Sequence, residues 1–128
     1  MEKYAVVDRT NFPIVRVQFT GEAANEDSFK SYLMELKEIY DYENKLAIIF
    51  DANKATLPGL KFQKMQAKWL KDNKQMMEDY CVGTAYIISN RLIRNVLKAI
   101  FALQSQPVPF LVCSRSTEAE DWVDQQLC

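Results

Sequence analysis

The sequence predicts an α/β fold, with a single-layer, mixed but mostly parallel five-stranded sheet and four helices in the order ββαβαβαβα. Leu46–Phe50 is an unbroken apolar run of strand length, which is typical of a strand covered on both faces. After residue 20, amphipathic helical segments alternate with short apolar runs, which favours parallel strands joined through helices. The 128 residues, 48% hydrophobic and 26% charged, fit one domain over residues 1–128.

The first forty residues predict a hairpin followed by a helix. Tyr4–Asp8 and Ile14–Thr20 are short strands joined by a turn at residues 11–13, so they should pair in antiparallel fashion near an edge of the sheet. Asn25 is an N-cap candidate, and the two acidic residues after it suit the first turn of a helix. We expect this helix to run to about residue 40.

The central strand leads through a loop ending at Gly59 into one long amphipathic helix over residues 60–80. A period of 3.6 places large apolar side chains on one side of this helix. It places four lysines on the other side, namely Lys61, Lys64, Lys68 and Lys71. The helix should therefore lie on the sheet with its lysines in water.

The rest of the chain alternates strands and helices. Val82–Ile88 reads as a strand, and Ser89 or Asn90 should cap a helix over residues 91–104 that is apolar on most sides. Two prolines end that helix, and Phe110–Cys113 follows as the fifth strand. A last helix begins near Ser116 and should bury Trp122.

Composition excludes several classes of function. The net charge of −1 gives no general attraction to nucleic acid, and no run approaches the ~20 apolar residues of a membrane span or the core of a signal peptide. We expect a cytoplasmic protein.

The chain has no histidine, and its three cysteines lack metal-type spacing, so no metal or cofactor is predicted. Cys81, Cys113 and Cys128 should be reduced thiols. The absence of P-loop, Rossmann and nucleophile-elbow motifs indicates a protein that is not an enzyme.

An ordered set of short stretches carries a resemblance that extends over nearly the whole chain. The set comprises Ala67–Leu70 with Asn73, Val82–Ile87 with Arg94, Ala99–Phe101, Pro107 and Pro109, and Glu118–Ala119 with Trp122. It resembles the second helix, fourth strand and third helix of the SpoIIAA-like superfamily, together with the segments that follow them. That superfamily has the STAS-type fold of anti-sigma-factor antagonists, which has been likened to the CRAL-TRIO lipid carriers. The resemblance implies a domain that binds proteins or small apolar ligands.

The resemblance also carries an informative departure. Anti-sigma-factor antagonists open the second helix with an Asp-Ser-Ser-Gly-Leu-like motif, whose first serine accepts phosphate. The matching stretch here is Thr56-Leu57-Pro58-Gly59-Leu60, so leucine stands at the position of the acceptor. A switch controlled by phosphorylation of that position is not expected, although Thr56 leaves a hydroxyl nearby.

Polar residues follow the strands at the carboxyl edge of the predicted sheet, where ligands of open α/β sheets bind. The candidate residues for ligand or partner binding are Asp51, Asn53, Thr56, Ser89, Asn90, Arg91 and Arg94. Arg91 opens a helix whose free N–H groups favour anions, so a phosphate or carboxylate could bind there. The alternative is that these residues cap their own loops and helix and that the arginines are solvated.

A second candidate site is an apolar pocket between the helices and the sheet. Its predicted lining is Met65, Trp69, Met76 and Phe101, which are large and adaptable side chains, although the same spacing also describes an ordinary core. The sequence thus favours a non-catalytic regulatory domain, a monomer or weak homodimer, that acts through protein–protein interaction. The alternative is a carrier or sensor of a small lipid-like ligand.

Overall fold

A computed structural model describes residues 3–128, so the first two residues of the predicted domain lie outside the described part. One five-stranded sheet organises the fold, and its strands are neighbours in chain order. The first pair is antiparallel and the other three pairs are parallel, as the sequence predicts. The strands are β1 (Ala5–Asp8), β2 (Ile14–Phe19), β3 (Leu46–Asp51), β4 (Cys81–Ile87) and β5 (Phe110–Cys113).

The described residues form five α-helices, so the predicted number of four is wrong. They are α1 (Glu26–Glu38), α2 (Leu60–Asp72), α3 (Lys74–Tyr80), α4 (Arg91–Leu103) and α5 (Ser116–Leu127), and a 3₁₀ turn at Ile39–Tyr42 follows α1. The predicted helix over residues 60–80 is two helices because Asn73, at φ −112° and ψ 17°, leaves the helical conformation. The Asn73 side-chain amide donates to the carbonyl of Trp69 at 2.9 Å, and this bond helps to close α2.

The central strand separates two apolar layers. Leu46 to Phe50 are all buried, as a strand covered on both faces requires. Alternate residues of β3 and β4 face opposite ways, so Ile48 and Phe50 join the core under α1, α2 and α4, whereas Ala47 and Ile49 meet α5 on the other face. The larger core is the one beneath the three helices.

Other local predictions are confirmed. Asn25 caps α1, since its side-chain oxygen accepts from the Ser28 N–H at 2.8 Å. The four lysines of α2 are exposed. All three cysteines are free thiols, with Cys81 and Cys113 buried and Cys128 exposed.

Candidate functional site

An open, mainly apolar cavity lies between the sheet and the helices of the larger core. Its volume is about 100 Å³, and a single water molecule needs ~10–15 Å³ of such space. The cavity is therefore several times larger than a void that holds one water molecule.

The floor of the cavity follows from the alternation of side chains along two strands. Ile48 and Phe50 on β3, and Thr84 and Tyr86 on β4, point to the same face and line the cavity. The intervening residues of both strands face α5. The sheet therefore supplies one wide floor of mixed aliphatic, aromatic and hydroxyl groups.

Helical periodicity supplies the walls and roof. On α2, Phe62, Gln66 and Trp69 lie three and four residues apart and line the cavity together. On α4, Val96, Leu97 and Phe101 also line the cavity. These six side chains are all partly exposed, whereas those contributed by α1, namely Phe29, Tyr32 and Leu36, are buried. The open part of the cavity thus adjoins α2 and α4.

A row of aromatic rings crosses the floor. Phe50 and Tyr86 are direct neighbours on β3 and β4, and their rings stack with centroids 4.9 Å apart and planes 7° apart. Phe19 on β2 continues the row, with its centroid 6.4 Å from that of Phe50. Phe101 from α4 meets Tyr86 edge-on at 5.9 Å. Such rings offer flat apolar surface to a planar or alicyclic ligand.

Polar groups cluster at one place in this lining. The Gln106 side-chain amide donates to the Tyr86 hydroxyl at 2.6 Å and to the Thr84 hydroxyl at 3.2 Å. Gln106 precedes β5, and its other amide atom, Oε1, is buried and accepts no hydrogen bond from the described residues. Buried polar atoms without a partner are rare in folded proteins, so this cluster marks a special position.

The tyrosines of the cavity remain uncharged near neutral pH. Burial raises the pKa of Tyr4 to about 12, and burial also raises the pKa values of Tyr32 and Tyr86 above the ordinary value. The described lining contains no lysine, arginine, aspartate or glutamate. The whole surface of the cavity is therefore electrically neutral.

Two of the four predicted pocket residues line the cavity, and the other two lie outside its lining. Trp69 and Phe101 line the cavity. Met65 and Met76 are partly buried and pack against the larger core, but they lie outside the cavity lining.

Two hydrogen bonds join predicted residues of the carboxyl edge to one another, and their other hydrogen bonds go to neighbouring groups. The Ser89 hydroxyl donates to the side-chain oxygen of Asn53 at 3.1 Å and so links the loops that follow β3 and β4. The Asp51 carboxylate accepts from the backbone N–H of Asn53 at 3.1 Å, and the Thr56 hydroxyl donates to the Glu22 carbonyl at 3.2 Å. Of these residues only Thr56 also lines the cavity.

The N-terminus of α4, where the sequence suggested that a phosphate or carboxylate could bind, already has most of its donors bonded to groups of the protein. The Asn90 side-chain oxygen accepts from the N–H groups of Leu92 at 2.8 Å and Ile93 at 3.4 Å, which are donors that a bound anion would otherwise use. Arg94 donates to the Ile88 carbonyl at 2.7 Å and to the Ser114 hydroxyl at 3.0 Å. Arg91 is exposed and makes no hydrogen bond or ion pair with residues 3–128. The charge of Arg91 is therefore available to a partner.

Sequence reasoning missed the floor and the polar cluster of the cavity. The Thr84-x-Tyr86 spacing on a strand was a usable signal, since it places both hydroxyls on one face. The contribution of Gln106 had no local signal, because the residue reaches Tyr86 across 20 positions of sequence.

Comparison of the chain with protein-family models, with curated proteins and with solved structures gave no significant match. None of the helices between residues 3 and 128 combines the length and the apolar character needed to cross a membrane. Within the same residues, no group of three or more cysteine, aspartate or glutamate side chains could hold a metal ion. The fold and the site together define an α/β protein with an open, neutral, apolar cavity.

Proposed function

We propose that this protein binds a small apolar molecule in the cavity and acts as its carrier or sensor in the cytoplasm, without catalysing a reaction. The observation that carries the proposal is the cavity itself. Well-packed cores leave few voids larger than a water molecule, so an open, apolar cavity of about 100 Å³ is more than a packing defect. The three free thiols agree with a reducing compartment.

Burial of an apolar ligand supplies the driving force. The stacked rings of Phe50 and Tyr86, with Trp69 and Phe101 above them, provide contact surface, and each buried Å² of apolar area contributes ~25 cal/mol. The titratable groups of the lining are tyrosines with raised pKa values, which are poor bases near pH 7. Such a lining suits binding better than chemistry.

The test uses naphthalene as an apolar probe and two variants of helix α4. Leu97 is partly buried and lines the cavity, so Leu97→Trp should fill the space and weaken naphthalene binding at least tenfold, roughly 1.4 kcal/mol. Leu92→Trp is the matched control, because Leu92 is 58% exposed and lies outside the lining. Binding is measured by calorimetric titration, after circular dichroism has shown that all three proteins are folded.

Two outcomes would contradict this function. The first is that naphthalene does not bind the wild-type protein saturably. The second is that the wild type and the folded Leu97→Trp variant bind naphthalene with equal affinity, which would place the probe elsewhere on the surface.

A second candidate function is binding of a protein partner at the carboxyl edge. The observation that favours it is the exposure of three leucines at the N-terminal ends of α2 and α4: Leu57 and Leu60 are 56% and 60% exposed, and Leu92 is 58% exposed. Both helices begin at the same edge of the sheet, which is also the edge that carries Arg91. Exposed apolar side chains beside a free charge are typical of interaction surfaces. In this case the protein would be a monomer or weak homodimer that pairs with a different chain.

A further inference from the structure

Gln106, Tyr86 and Thr84 form a hydrogen-bonded polar cluster in the lining of the cavity. Gln106 uses its amide N–H groups on the two hydroxyls, and its Oε1 is left buried without a partner among the described residues. The unmet hydrogen bond costs free energy in the empty protein. Gln106 is partly exposed as a residue, and its side chain lines the cavity.

The charge of the lining restricts the ligand further. Moving a carboxylate or an ammonium group into an apolar site is costly unless an opposite charge pairs with it. No charged side chain belongs to the described lining, and Arg91 and Arg94 of α4 both lie outside it. A charged group could therefore not be buried here without a large loss of affinity.

We infer that the ligand is an uncharged amphiphile, with an aromatic or alicyclic body over the Phe50–Tyr86 stack and a hydroxyl group that joins the Gln106 cluster. A hydroxyl suits this position because it both donates and accepts, so it can donate to Oε1 and still accept from a neighbouring donor. The inference rests on the proposed function and narrows it to a class of ligand. It excludes fatty acids and other anionic lipids that would have to bury their headgroup.

The test compares three probes that share one ring system: naphthalene, 2-naphthol and 2-naphthoate. In the wild-type protein at pH 7 we expect 2-naphthol to bind more tightly than naphthalene by about 2- to 12-fold, the worth of one net hydrogen bond. The anionic 2-naphthoate should bind at least tenfold more weakly than 2-naphthol. In Gln106→Leu, which removes the carboxamide but keeps an apolar side chain, the preference for 2-naphthol over naphthalene should be smaller than in the wild type, although the Thr84 and Tyr86 hydroxyls remain.

A second measurement, on the wild-type protein, tests the inference even if the Gln106→Leu variant does not fold. The side-chain amide signals of Gln106 in the nitrogen-15 NMR spectrum of the wild-type protein should shift with 2-naphthol and stay nearly fixed with naphthalene. Equal wild-type affinities for these two probes, the tightest binding for 2-naphthoate, or unmoved Gln106 signals would each overturn the inference while leaving the proposed function in place. Failure of naphthalene to bind at all would overturn both.

Discussion

Gly83 is the position at which the packing of α5 on the sheet can be tested most sharply. A Cβ atom placed on Gly83 would lie 2.7 Å from Cη2 and 2.9 Å from Cζ3 of Trp122, and 3.3 Å from Cγ of Gln126. Ordinary contacts of a Cβ begin near 3.4 Å, so the nearest atom would have to move by about 0.7 Å. The absence of a side chain at Gly83 is what lets the indole ring lie against β4.

The expected cost of Gly83→Ala follows from two opposing terms. Forcing an extra methyl group into a packed site costs ~1–3 kcal/mol, and replacing glycine within a strand regains ~0.5–1 kcal/mol of conformational entropy. The cost of the clash should exceed the entropy gain, because Ala119 and Val123 of the same helix are fully buried and hold α5 in place. The net loss of about 0.5–2 kcal/mol corresponds to a fall in Tm of roughly 2–8 °C for a chain of this size.

Chemical unfolding of four proteins measures this contact: wild type, Gly83→Ala, Trp122→Leu and the double variant. If the cost arises from the indole ring, Gly83→Ala should destabilise the wild type but not the Trp122→Leu background. Gly59→Ala is the control for a site without a clash, because a Cβ there meets no atom within 4 Å. Gly59 is the N-cap of α2, where alanine costs up to ~1 kcal/mol relative to glycine, and this loss should be the same with and without Trp122. An unchanged midpoint for Gly83→Ala, or the same loss in both backgrounds, would refute the packing explanation.

Two further predictions concern the carboxyl edge and alkaline pH. Arg94→Ala should lower the free energy of unfolding by about 1–2 kcal/mol, because Arg94 bonds to Ile88 and Ser114. Arg91→Ala and Arg91→Glu should change the free energy of unfolding by less than about 0.5 kcal/mol. Urea midpoints measure all three variants, and a larger loss from Arg91 than from Arg94 would contradict the structure. If the edge binds a protein, Arg91→Glu should also weaken capture of that protein in a pull-down without this loss of stability. Burial raises the pKa of Tyr4 from 10.0 in the unfolded chain to about 12, so its contribution to stability is complete below pH 10 and is lost as pH rises from 10 to 12. The fall in stability over that window should be shallower in Tyr4→Phe, by up to ~1.4 kcal/mol per pH unit, and equal slopes would contradict the burial of this hydroxyl.

Local pattern in the sequence was enough to predict the strands and most of the helices. The continuous apolar run Leu46–Phe50 required a strand covered on both faces, and that strand is central. Asn25 and Asn90 each cap a helix at the predicted position, since a short side-chain oxygen bonds the free N–H groups of the first turn wherever it occurs. These features depend on neighbours within a few residues.

The break between α2 and α3 has only the weak local mark of Asn73, whose side chain bonds the end of α2. Neither glycine nor proline interrupts residues 60–80, and the apolar period continues across Asn73. The chain nevertheless leaves the helix there, and the short α3 then delivers it directly to the start of β4 at Cys81. Where α2 ends therefore depends on the position of the sheet as well as on local propensity.

The cavity was likewise decided by the tertiary structure. The sequence predicted an apolar pocket and two of its residues, Trp69 and Phe101, because helical periodicity shows which face is apolar. It could not show whether facing side chains fill the space between α2 and α4, since that depends on how far apart the sheet holds the two helices. The polar cluster is also non-local, because Gln106 meets Tyr86 only when β4 and β5 pair in their observed register. Periodicity thus determined which surfaces are apolar, and the three-dimensional packing of strands and helices determined the gap between them.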